Sequence, residues 1–195
     1  MTALPACARC ERTLGQSCCQ VRPDEHLATL TLTDVARIRE ARGLAARRFV
    51  EEEWLTEEEA REYEQRRPLY RGYFDRGPVR LTLARREGAC VFFQREGGCT
   101  LTVEERPTAC RLYPFEQWPD GQWSLQVERF GVPEEARASG AACLAVEEAN
   151  GMEDVLRAFS MHRAEVETLG RTLHGEVRQH ARGKTVPLSP DAEWG

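Results

Sequence analysis

The stretch CVFFQREGGCTLTVEERPTACRLYPF, residues 90–115, gathers three cysteines, a glycine pair and an Arg-Pro step, and its reading decides the fold. Gly97-Gly98 lies between two apolar runs, Ala89–Gln94 and Cys99–Val103. Glycine reaches the positive φ that tight turns require, so the pattern predicts a β-hairpin. A hairpin of that kind holds Cys90 and Cys99 on adjacent strands, within reach of one ion. Arg106-Pro107 then sets Cys110 behind it.

Downstream, Pro119-Asp120-Gly121 separates Phe115–Trp118 from Gln122–Arg129, a second hairpin. Upstream, Val79–Leu83 alternates with period two. The section from Tyr70 to Arg129 therefore reads as a small antiparallel sheet. Earlier signals are mostly helical. Thr29–Thr33 is a short strand or the approach to a helix, with Thr33 as cap of a helix over Asp34–Arg42 that stops at Gly43. Ala45–Glu53 reads as a second helix. A third follows Thr56, where Thr56 and Glu59 have capping-box spacing, and runs to Arg67 before Pro68. The eight Glu and five Arg between Arg47 and Arg67 fit a solvated helical face. Met152, Val155, Leu156, Phe159, Val166, Leu169, Leu173 and Val177 recur at spacings of three and four, which predicts one helix from Met152 to Ala181.

The expected class is α+β: an irregular Cys-rich N-terminal lobe over residues 1–22, short helices, a small antiparallel hairpin sheet and a long C-terminal helix, packed around a metal or cluster site. The expected division is a cysteine-cluster domain over 1–150, an amphipathic helix over 151–182 packed on it, and a loose tail over 183–195.

With 195 residues and a net charge of −5, the chain is long enough for a core and too acidic for general nucleic-acid binding. No uncharged run exceeds nine residues, against roughly 20 apolar ones for a membrane span. The first residues lack the apolar segment of a secretory signal, so a cytoplasmic location is expected.

Eight cysteines then stand out: Cys7, Cys10, Cys18, Cys19, Cys90, Cys99, Cys110 and Cys143. Four disulfides would suit a small exported chain. Clustered thiols in a reducing compartment instead point to metal. Cys7-x2-Cys10 lets two sulfurs turn toward one ion. In extended backbone the neighbours Cys18 and Cys19 face opposite sides. That favours two adjacent centres, or one cluster and one mononuclear site, over a single four-cysteine site. Arg106 and Arg111 are placed to offset the negative charge of several thiolates. His162 and His180 fall near the apolar stripe and read as packed or rim residues. No nucleophile-elbow, zinc-protease, P-loop or dinucleotide motif is present.

C7-A-R-C10 with C18-C19, then C90-V-F-F, G98-C99-T-L and R106-P-T-A-C110-R-L-Y-P-F115, resemble the bacterial YkgJ-type cysteine-cluster family of zinc- or iron-chelating proteins. The Leu-Thr-x-x-Asp-like start of the first helix, near Thr31–Asp34, is similar too. The resemblance covers about residues 7–145. One departure is the seven residues Glu11–Ser17 before the vicinal pair, where the family often has two. The longer spacing is similar to the cysteine motif of flagellin lysine N-methylases, which are associated with an iron–sulfur cluster. The resemblance implies metal or cluster binding without supplying a reaction. Zinc and an iron–sulfur cluster both stay open. The function expected first is a non-enzymatic metal protein with a structural, redox, sensing or metal-handling role. Next comes a zinc-stapled adaptor that offers its long helix to a protein partner, and then a cluster-dependent enzyme or methyl-transfer accessory.

Overall fold

Capping boxes start the best-defined helices. The computed structural model describes residues 6–15, 17–20, 27–95, 97–126 and 143–183. Helix α1 (Ala6–Leu14) comes first, where an irregular lobe was expected. Its sequence ACARCERTL is made largely of good helix formers, and Gly15, at φ 72°, closes it by donating to the Glu11 carbonyl. Helix α2 (Leu32–Arg42) is capped by Thr31 rather than Thr33, because Thr31 and Asp34 complete a reciprocal box. Gly43, at φ 61°, stops it as expected. Helix α3 (Glu57–Arg66) has the Thr56–Glu59 box read from the sequence, and Pro68 opens a 3-10 turn after it.

The second expected helix is a strand. Only Ala46–Arg48 form a 3-10 turn, and β1 (Val50–Trp54) then pairs antiparallel with β2 (Val79–Leu83), Val50 facing Leu83. Phe49 and Ala46 are fully buried, and Arg80 on β2 donates to Glu53 at 2.6 Å. Non-local pairing thus overrides the helical composition of this charged stretch. The other side of β2 is covered: Leu30 N donates to Leu81 O at 2.8 Å, and Thr29 bridges Thr82.

The single sheet expected from Tyr70 to Arg129 resolves, among the described residues, into separate two-stranded ribbons. β3 (Arg85–Arg86) pairs with β4 (Ala89–Cys90), and β5 (Phe93–Gln94) with β6 (Gly98–Cys99). Cys90 therefore faces Arg85, and Cys99 faces Phe93, so the two cysteines are not partners in one hairpin. The chain reverses twice here because Gly88, at φ 78°, supplies a turn before the glycine pair does. Helix α4 (Thr108–Leu112) follows Pro107. β7 (Phe115–Gln117) and β8 (Trp123–Leu125) form the second expected hairpin, whose last expected residues, 127–129, lie outside the described residues.

After α5 (Leu144–Glu147), the long helix is broken into α6 (Met152–Ala158) and α7 (Arg163–Arg182). Ser160 sits at φ 54°, and Met161 N donates back to Leu156 O at 2.8 Å, the closing bond of a Schellman motif. His162 and Glu165 then cap α7 reciprocally. The apolar stripe still reaches the core on both pieces: Val155, Leu156, Val166, Leu169, Leu173 and Val177 pack with Tyr70, Tyr73, Leu112 and Phe115. A second core joins Leu30, Val35, Ile38, Phe49, Leu83, Cys90, Phe92 and Leu101. No described helix is long and apolar enough to cross a membrane. The expected tail lies outside the described residues beyond Gly183.

Candidate metal centre

A fully buried carboxylate fixes the turn that carries Cys110. Asp34 accepts hydrogen bonds from Thr31 N and Thr31 Oγ1, both 2.9 Å, and on its other oxygen from Thr108 N at 2.9 Å. It thereby caps α2 and α4 together. Arg37 pairs with Asp34 at 2.8 Å, reaches Glu176 on α7 and donates to the Arg106 carbonyl at 3.1 Å. The capping-box spacing T31-x-x-D34 was the sequence signal for this group, but its second partner, Thr108, is 74 residues away.

The thiols come from six places. Cys10 is on α1, and Cys18 and Cys19 lie in the turn after it. Cys90 is on β4, Cys99 on β6 and Cys110 on α4, while Cys143 occupies the N-cap position of α5. α1 packs on both α5 and β6, and Cys90 N donates to Cys19 O at 2.8 Å, which draws these segments together. All seven line one cavity of about 770 Å³, and none of the seven is in a disulfide. Cys7 lies one turn before Cys10 in α1, with its side chain outside the described residues.

Cys18 and Cys19 sit in a turn rather than in extended backbone, and both line the cavity. Cys19 packs against the second core beside Cys99 and Cys110. Cys18 instead is the electrostatic neighbour of Cys10, Cys90, Cys110 and Cys143. Burial, reinforced by neighbouring sulfurs, pushes the Cys90 and Cys143 thiols up to about 12. The same causes hold Cys110 well above the ordinary thiol range, and burial raises Cys10. As bare thiols these groups keep their protons at neutral pH, and an ion that binds them must displace those protons. Among the described residues, no three His, Cys, Asp or Glu side chains are already gathered as an ion site.

Arg106 and Arg111 also line the cavity. Arg106 Nε donates to Leu101 O at 3.1 Å. Arg111 Nε is enclosed with no hydrogen-bond partner among the described residues. Of the histidines, His180 stacks on Tyr73 with ring centroids 4.2 Å apart, and burial holds it down to about 4. His162 is the α7 cap, and His26 lies outside the described residues.

No curated protein and no solved structure matches this chain. A family model does: CxxCxxCC, described as "Putative zinc- or iron-chelating domain", matches residues 6–143. That span contains all eight cysteines, although Glu11–Ser17 put seven residues where the family's motif has two. The chain belongs to the CxxCxxCC family of zinc- or iron-chelating domains.

Proposed function

We propose that this protein holds zinc or an iron–sulfur cluster through Cys7, Cys10, Cys18, Cys19, Cys90, Cys99, Cys110 and Cys143, with a structural, redox, sensing or metal-handling role. The observation that carries the reading is the convergence of seven cysteines outside any disulfide, from segments up to 133 residues apart in sequence, on one cavity. The donor set fits, since thiolates bind zinc and iron–sulfur centres alike. An enclosed Arg111 beside Cys110 fits as well, because several thiolates on one ion leave net negative charge that a guanidinium offsets. Arg106, on the same wall, has the second such place. The adaptor alternative gains nothing from the fold, because the apolar stripe of α6 and α7 is already committed to the core.

The test is anaerobic purification with elemental analysis and an absorption spectrum. Bound iron and sulfide, with broad absorption in the visible, identify a cluster. A colourless protein with stoichiometric zinc identifies the other centre. A chain that carries neither metal, and takes up neither when reduced and reconstituted, overturns the proposal.

A further inference from the structure

The cavity is larger than an ion requires. Its volume of about 770 Å³ falls in the small-molecule range of roughly 300–1,000 Å³. The wall is not all sulfur: Tyr63, Leu69, Tyr70 and Leu173 supply apolar and aromatic surface, and Arg67 and Arg111 supply charge.

The ring of Tyr63 lies under two guanidiniums, Arg67 and Arg80, each with its central carbon 4.9 Å from the ring centroid. They differ in what else they touch. Arg80 is neutralised by Glu53, to which its Nε donates at 2.6 Å. Arg67 has no carboxylate at ion-pair distance among the described residues; its charge is favoured chiefly by Tyr63, to which it also hydrogen-bonds, then by Tyr70 and Glu116. Arg111 has an enclosed Nε with no hydrogen-bond partner among the described residues. The two are carried by neighbouring parts of the fold, since α4 and the 3-10 turn that follows Arg67 both pack on α7. Guanidinium donors withheld from water without an acceptor are costly, and their fork geometry matches a carboxylate or phosphate.

We propose that this cavity binds a small organic anion whose carboxylate or phosphate head pairs with Arg67 and Arg111, and whose apolar body lies against Tyr63, Tyr70 and Leu173. Arg67 has no part in the metal reading, whereas Arg111 serves both, so the Arg67 variants test this inference apart from that one. Carboxylate and phosphate share the recognised oxyanion, so two probes separate them.

The experiment uses the full chain as purified, with its metal content measured in parallel. Benzoate and phenyl phosphate are titrated calorimetrically at constant ionic strength, with benzyl alcohol as the uncharged control. Saturable binding of at least one anion, at least tenfold tighter than the alcohol, is expected, and which anion binds names the head group. Arg67→Gln should weaken it at least tenfold with metal content unchanged, Arg67→Lys should restore part of it, and Arg111→Gln should weaken it at least tenfold as well. Should Arg111→Gln fail to fold, Arg67→Gln with its lysine rescue decides alone. Absence of saturable binding, equal binding of the alcohol, or undiminished binding in the Arg67 variant overturns the proposal.

Discussion

Asp34 shows how much one side chain can organise. Removing it leaves the Thr31 and Thr108 donors buried without an acceptor, and Arg37 with only Glu176 as its carboxylate partner. Asp34→Ala should therefore cost about 3–5 kcal/mol, as for other broken buried ion pairs, read as a fall in the denaturant midpoint; Asp34→Asn, which can still cap, should cost less. His180 gives a pH signature. Its folded value of about 4 lies below the ordinary 6.5, so between these the unfolded chain binds a proton that the folded chain refuses. Stability from this group is intact above pH 6.5 and falls as pH drops, by about 3 kcal/mol at pH 4. His180→Phe, which keeps a ring over Tyr73, should flatten that part of the stability–pH curve. Among the cysteines, Cys18→Ser should lower bound metal per chain more than Cys19→Ser, because Cys18 neighbours four other sulfurs. Adjacency in the sequence could not tell which of the two has more sulfur neighbours; that depended on where Cys90 and Cys143 arrive.

Local chemistry explains which elements could be read in advance. The Thr56–Glu59 box and the Gly43 stop act within a few residues, and both appear where expected. β1 was misread as helix because its reason to be a strand, β2, lies some 30 residues on. The break between α6 and α7 was missed because the apolar spacing runs through it, while the signal that stops the helix is a left-handed serine. Between elements, Gly170 on α7 admits the edge of Trp123 from β8: a Cβ there would lie 2.7 Å from the ring. Alanine would gain about 1 kcal/mol in helix propensity, whereas overpacking costs about 1–3 kcal/mol. Gly170→Ala should thus destabilise, and in a Trp123→Ala background the sign should reverse. Thermal midpoints of the four proteins in that cycle decide it.

At the scale of the molecule, the family match ends at residue 143 while one of the two cores is built largely from α6 and α7. A chain cut after residue 143 should lose cooperative unfolding, observed as a broad, shallow denaturation curve by circular dichroism. That dependence was half visible beforehand: the stripe demanded a partner, but its partners, Tyr70, Tyr73 and Phe115, come from segments with no common periodicity. The convergence of the cysteines was inferred from number and chemistry alone; spacing could not foretell which walls carry them.

The longest strand pairing, β1 with β2, runs only five residues. β2 is covered by the segment before α2, which leaves β1 as the outward rim, and that rim reads Val-Glu-Glu-Glu-Trp. Glu53 is paired with Arg80 and Glu51 with Arg85, so a second copy adding there would have to pack against a row of charged, ion-paired side chains. A charged rim of this kind resists fibre growth by strand addition.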